Sequence, residues 1–260
     1  MFPKNTIARV CWRKCVVSTL LCAISLAWPL STALGGEAPT SSQSEATPKA
    51  GDEKKESVPL PYKWRDLFDG KSLKGWKAPK FGGEGEVRIQ DGCIVMERGD
   101  PMTGIAWDGE FPKTNYEVEF EAKRTDGIDF FATVTFPVGD TFCSFVTGGW
   151  GGSVIGLSSI NFNDASDNET TQFMVFKDNQ WYKFRVRVTK AKIEVWVDDK
   201  KVVDLIIVDR RISTRYEVDL CKPFGFSSWC STGVIRSIRL RELTPEEVKA
   251  IAEEAEKTRL

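Results

Sequence analysis

Between Pro61 and Leu243 the chain runs as short apolar-polar alternations punctuated by Gly, Asp and Asn, and no stretch in this span keeps a helical period. Alternation sends successive side chains to opposite faces, which is the pattern of a strand with one face buried. Tyr116 to Ala122, Phe184 to Val188 and Ile193 to Val197 are the clearest cases. The Asp198-Asp199-Lys200 turn predicts a hairpin over Lys192 to Val208, and Val234 to Leu243 predicts a closing strand. More than ten strands without intervening helices require two antiparallel sheets packed face to face, an all-β sandwich.

The ends read differently. Met1 to Lys14 carry Lys4, Arg9, Arg13 and Lys14 and no acid, and the apolar run Val16 to Leu30 follows, broken by Pro29. Such a pattern is a signal peptide over residues 1–35, with small residues for cleavage near 33 to 36, or else a retained anchor. The expected location is extracytoplasmic: periplasm, cell envelope or secreted, with no membrane span in the mature form. Residues 36–60 are Ser, Thr, Ala, Pro, Glu and Lys and cannot offset ordering entropy by burial, so they read as a disordered linker. The domain takes residues 61–243, and a short C-terminal helix takes 244–260. Thr244-Pro245-Glu246-Glu247 starts that helix with a cap, a first-turn Pro and two acids, and Val248, Ile251, Ala252 and Ala255 form its apolar stripe.

Composition narrows the chemistry. Net charge is −1, so there is no basic field for a phosphate backbone, and nucleic acid is not an expected partner. Histidine is absent, which removes the commonest general base and metal ligand. Four cysteines fall in the domain: Cys93, Cys143, Cys221 and Cys230. Two readings stay open for them, a Cys221–Cys230 bridge or four thiols packed as small hydrophobes.

The segment Trp64-Arg65-Asp66-Leu67-Phe68-Asp69-Gly70-Lys71-Ser72-Leu73-Lys74-Gly75-Trp76 resembles the opening signature of the 3-keto-disaccharide hydrolase domain family. Val87 to Val95 with its Asp91-Gly92 turn, Tyr116 to Ala122, the Trp181 to Val203 hairpin and the Phe224 to Leu243 ending agree with it in order. The resemblance covers about 180 residues. It implies a concanavalin-like jelly roll and action, by hydrolysis or elimination, on glycosides oxidised at the third sugar carbon. A non-catalytic sugar-binding module or a cell-envelope interaction domain is the alternative; a carbohydrate is the expected ligand. Many members carry an Asn-Ser-Gly element where this chain has Thr125-Asp126-Gly127, so it reads as a divergent branch.

Three constellations are the candidate site. Trp150 stands between Gly148-Gly149 and Gly151-Gly152, where bare backbone lets a sugar ring approach the indole or, alternatively, relieves crowding at a bent strand edge. Asp126 and Asp129 stand on the approach to a strand expected at Phe130 to Phe136, and with Asp164, Asp167 or Glu169 they could form a carboxylate pair for acid-base work on a glycosidic bond, with Asp129, Asp164 and Glu169 the candidate catalytic residues. Asn161, Asn163, Asp167 and Asn168 share the loop Asn161 to Thr171 with those last two acids and are candidate substrate ligands. The same oxygen-rich loop suits Ca²⁺ or another divalent cation, or simply a solvated loop held by Asx turns.

Overall fold

A computed structural model describes residues 62–259. The signal and linker readings, residues 1–35 and 36–60, lie outside the described residues. Fifteen strands build the domain: β1 (Arg65–Asp66), β2 (Trp76–Lys77), β3 (Val87–Gln90), β4 (Cys93–Met96), β5 (Met102–Trp107), β6 (Tyr116–Gly127), β7 (Thr133–Val138) and β8 (Thr141–Gly148) come first. They are followed by β9 (Val154–Ser158), β10 (Gln172–Phe173), β11 (Tyr182–Val188), β12 (Lys192–Val197), β13 (Lys200–Ile206), β14 (Gly225–Trp229) and β15 (Ser231–Glu242). One sheet runs β13-β12-β11-β6-β15-β4-β3 with β1 also on β15, and the other runs β10-β9-β8-β7-β14-β5-β2. Every pairing is antiparallel, and the two sheets form a jelly-roll β-sandwich.

The core follows from the alternation. Phe120 and Phe184, register partners on β6 and β11, stack at 5.0 Å, and Phe120 meets Phe226 of the opposite sheet edge-to-face at 4.8 Å. Leu67, Phe68 and Trp76 of the opening signature are buried in the same core, where the Trp76 indole N–H donates to the Leu67 carbonyl at 2.8 Å. Between them the Asp69 carboxylate accepts the Lys71 and Ser72 amides, both at 2.7 Å, which closes the turn through Gly70. The signature is thus scaffold, set by packing and turn chemistry.

On the first sheet the outward positions are charged, and register pairs them: Arg239 faces Glu119, Arg236 faces Glu121, and Arg241 and Arg187 both face Glu117. The C-terminal helix Pro245–Arg259 docks here. A capping box starts it, with Thr244 and Glu247 each accepting the other's amide at 3.2 and 2.8 Å. Its buried contacts are Ile251 and Ala255, while Ala252 of the expected stripe is exposed. Lys192 of β12, almost wholly buried, reaches Glu254 of the helix at 3.0 Å.

All four domain cysteines are free thiols, so the Cys221–Cys230 bridge is not formed. The strand expected at Phe130 to Phe136 starts instead at Thr133, because Asp129 is tied across to β15: its amide donates to Ser231 Oγ at 3.0 Å and its carbonyl accepts from the same hydroxyl at 3.1 Å. No helix among the described residues is long and apolar enough to cross a membrane.

Candidate functional site

On the second sheet the inward positions are large and the outward ones small. Val134, Phe145 and Leu157 point to the core, while Thr133, Ser144, Val146 and Ser158 face outward and floor a cavity of about 220 Å³. Phe130, Trp229 and Trp150 wall one end, and Arg215, Glu217 and Val218 stand over the other. The ends are separated along β8: Ser144, beside Ser158 in register, lies four residues before Gly148, which is about 13 Å at the rise of a strand.

At the polar end one arginine organises the charges. Arg215 forms ion pairs with Asp164 and, at 2.6 Å, with Glu217. The other oxygen of Asp164 accepts from Ser159 Oγ at 3.0 Å and Ser158 Oγ at 3.3 Å, which links the pair to the floor. Burial pushes the Glu217 carboxyl up, but the hydrogen bonds and charge of Arg215 together with a backbone hydrogen bond outweigh it and hold the group below its ordinary value. The Glu217 hydrogen bond, against the cost of burial, raises Arg215, so the guanidinium stays charged throughout the working pH range.

At the aromatic end the four-glycine segment is a tight turn, Gly149–Gly152, with Gly148, Trp150, Gly151 and Gly152 all left-handed (φ 85°, 50°, 88° and 104°). Trp150 is 47% exposed above the groove. Phe130 and Trp229 lie 6.2 Å apart beside it.

The structure brings Asp129, Trp150 and Asp164 to this groove and disperses the rest. Glu169 is paired with Arg210 instead. Asn168 is spent on its own loop: Nδ2 donates to the Leu157 and Asp164 carbonyls at 2.8 and 2.7 Å, and Oδ1 accepts from the Thr170 amide at 2.9 Å. Asn161 accepts the Arg211 amide at 2.9 Å, Asn163 bridges back to Ile160, and Asp167 is exposed with its amide on the Asp164 carbonyl. The loop's acids therefore diverge rather than form a cation cage, and among the described residues no three acids or cysteines converge as a metal site would need. Arg215, Glu217 and Trp229 were not candidates from sequence. Their signal is faint, since Arg215 and Asp164 stand 51 positions apart and meet only in the fold.

A family model described as the 3-keto-alpha-glucoside-1,2-lyase-like domain matches residues 63–241. No curated protein matches the chain. Among solved structures, a Crh5 transglycosylase in complex with NAG has a TM-score of 0.50 at 14% identity, over 72% of this chain and 86% of that one. The carbohydrate binding module CBM66 from Bacillus subtilis has a TM-score of 0.42 at 13% identity, over 65% and 96%. Domain 4 of AbnA, a GH43 extracellular arabinanase from Geobacillus stearothermophilus, has a TM-score of 0.43 at 16% identity, over 68% and 87%. At 14% identity the likeness to the transglycosylase is one of fold.

Proposed function

The chain belongs to the 3-keto-alpha-glucoside-1,2-lyase-like domain family, a carbohydrate-active family, and from that premise we propose that its groove binds and cleaves glycosides oxidised at the third sugar carbon. The observation that carries the reading is Arg215, a fixed cation held between Asp164 and Glu217 over a floor of small hydroxyls. A C3 carbonyl acidifies the hydrogen on C2. Removal of that proton sends an electron pair toward the carbonyl oxygen, and its return to form the C1–C2 double bond expels the C1 oxygen, which leaves as an alcohol once protonated. The step needs a base for the C2 proton and a positive group for the developing enolate. Glu217, kept ionised by Arg215, takes the first role and Arg215 the second; Thr133, Ser144 and Ser158 receive sugar hydroxyls.

Incubation of the protein with a C3-oxidised α-glucoside, followed by chromatography for the released alcohol, tests this. Arg215→Met is expected to lower kcat by about 100-fold or more, the loss typical of removing one oxyanion donor. No release by the unaltered protein, with or without added divalent cations, sinks the reading. A second reading, a sugar-binding module without turnover, is favoured by one fact: both oxygens of Asp129 and both of Glu217 already accept hydrogen bonds. It predicts glycan binding that survives with no product formed. Export behind residues 1–35 belongs to the same proposal, and a secreted form beginning close to residues 33 to 36 would support it.

A further inference from the structure

We infer that Asp129 is a positioning residue whose carboxylate latches the Gly149–Gly152 turn and so holds Trp150 over the aromatic end of the groove, for the leaving-group side of the ligand.

The latch is explicit in the hydrogen bonds. Asp129 Oδ2 accepts the Gly151 amide at 2.9 Å, on the residue next to Trp150, and Oδ1 accepts the amide of Phe130 at 2.8 Å. The carboxylate is itself anchored from behind, because Ser231 Oγ holds both the amide and the carbonyl of Asp129. What it holds is a conformation the chain does not favour by itself: Trp150 is a bulky residue at φ 50°, followed by two more left-handed residues. The turn also sits too close to its surroundings for side chains. A Cβ on Gly149 would meet Val146 Cγ1 at 2.8 Å, and one on Gly152 would meet the Ile128 carbonyl at 2.5 Å and Arg124 Nη1 at 3.2 Å. Such a costly turn leaves a large indole exposed rather than buried, so packing of Trp150 does not explain it. An aromatic surface presented at the mouth of a groove does.

The division of labour follows. Asp129 lies at the aromatic end, about 13 Å along β8 from the level of the Arg215 cluster, so it is not placed to share the proton work of Glu217. This assignment of ends rests on the proposed cleavage; the latch itself does not.

Two substitutions test the latch. Asp129→Asn keeps the shape but turns one acceptor into a donor. Gly151→Ala leaves Asp129 intact and adds a Cβ that meets nothing within 4 Å, yet disfavours φ 88°. The full-length protein, labelled with 5-fluorotryptophan, has nine tryptophans, and Trp150→Phe identifies the Trp150 line in the ¹⁹F spectrum. Both substitutions should shift or broaden that line while leaving the lines of buried Trp76 in place. An unmoved Trp150 line in Asp129→Asn overturns the inference, whether or not any glycoside turns over; should that variant not fold, Asp129→Glu, which keeps the charge but displaces the acceptor, is read the same way, and Gly151→Ala shows what a disturbed turn does to the line.

With a C3-oxidised α-glucoside as probe, each substitution should raise KM about tenfold with kcat little changed, and neither should add to the loss in a Trp150→Ala background. Losses that multiply in that background, or a fall in kcat, would show that Asp129 acts on the substrate directly and would also overturn it. Absence of turnover in the unaltered protein defeats the proposed cleavage instead, and the fluorine result stands.

Discussion

Glu117 is a position where removal of a single charge should be costly. Its side chain is almost fully buried between β11 and β15, where it accepts from Arg187 Nε at 2.7 Å and from Arg241 Nε and Nη2 at 2.9 and 2.6 Å. The two arginine side chains are only 21% and 16% exposed, so water screens these pairs poorly. Glu117→Ala takes one acceptor from each guanidinium but leaves Arg187 on Glu194 at 3.2 Å and Arg241 on Glu247 at 2.8 Å, so the loss should lie at the low end of the range for a broken buried pair, about 3 kcal/mol. For a domain of this size each kcal/mol lowers Tm by about 2 to 4 °C, giving a fall of roughly 6 to 12 °C. Urea denaturation and thermal melting at low and high salt measure it, with Asp108→Ala as the comparison. Asp108 pairs with Lys77 at 2.6 Å in the open, and its loss should stay within about 0.5 kcal/mol. A Glu117→Ala loss below about 1 kcal/mol, or one that high salt abolishes, would refute the claim that this pair is buried and unscreened.

Stability should fall in acid through the same face. The Arg241 hydrogen bond, working against burial, holds Glu247 below its ordinary 4.5; at Glu119 burial pushes up, but Arg239 and Lys183 win and its carboxyl also sits below 4.5. Depressed carboxyls stabilise the fold above the unfolded value and lose that contribution as pH drops through the folded one, so unfolding free energy should be level above about pH 6 and decline below 4.5, less steeply in Glu247→Gln. A variant with an unchanged acid slope contradicts this. Burial pushes the Cys143 and Cys221 thiols up to about 12, so alkylation of the native protein at pH 8 should leave both unmodified in a peptide map and reach them only after unfolding. Rapid native labelling of either would contradict their burial.

The strands were legible because alternation is a local property. Tyr116 to Ala122 lies within β6, the expected hairpin is β12 and β13 ending at Ile206 rather than Val208, and the closing strand ends at Glu242 rather than Leu243, while the error at Phe130 came from a long-range tie, Ser231 to Asp129, that no window of sequence contains. The acid-rich loop misled for a related reason. Density of oxygens along the chain says nothing of where they point, and a loop must first satisfy its own backbone groups. Asn168 does that work, while Asp164 and Glu169 turn away to Arg215 and Arg210.

The two sheets also differ in a way the sequence carries once the strands are known. On the first sheet outward residues are long and charged, and antiparallel register sets Arg239 on Glu119, Arg236 on Glu121 and Arg241 on Glu117, so these arginines are spent on cross-strand pairs. On the second sheet small outward hydroxyls alternate with large inward residues: Thr133 and Thr135 beside Val134 and Phe136, Ser144 beside Phe145, Ser227 beside Phe226. Short side chains leave room above a sheet, and hydroxyls left there want partners. Thr135 and Ser144 find each other at 2.9 Å, whereas Ser227 Oγ is buried with none. Arg215 escapes strand register altogether, since it lies before the 3-10 segment Tyr216–Cys221 and meets its acids across the groove. The face proposed to take the ligand is therefore the one whose outward strand positions are small, and the charge beside it arrives from a connecting segment rather than from a strand.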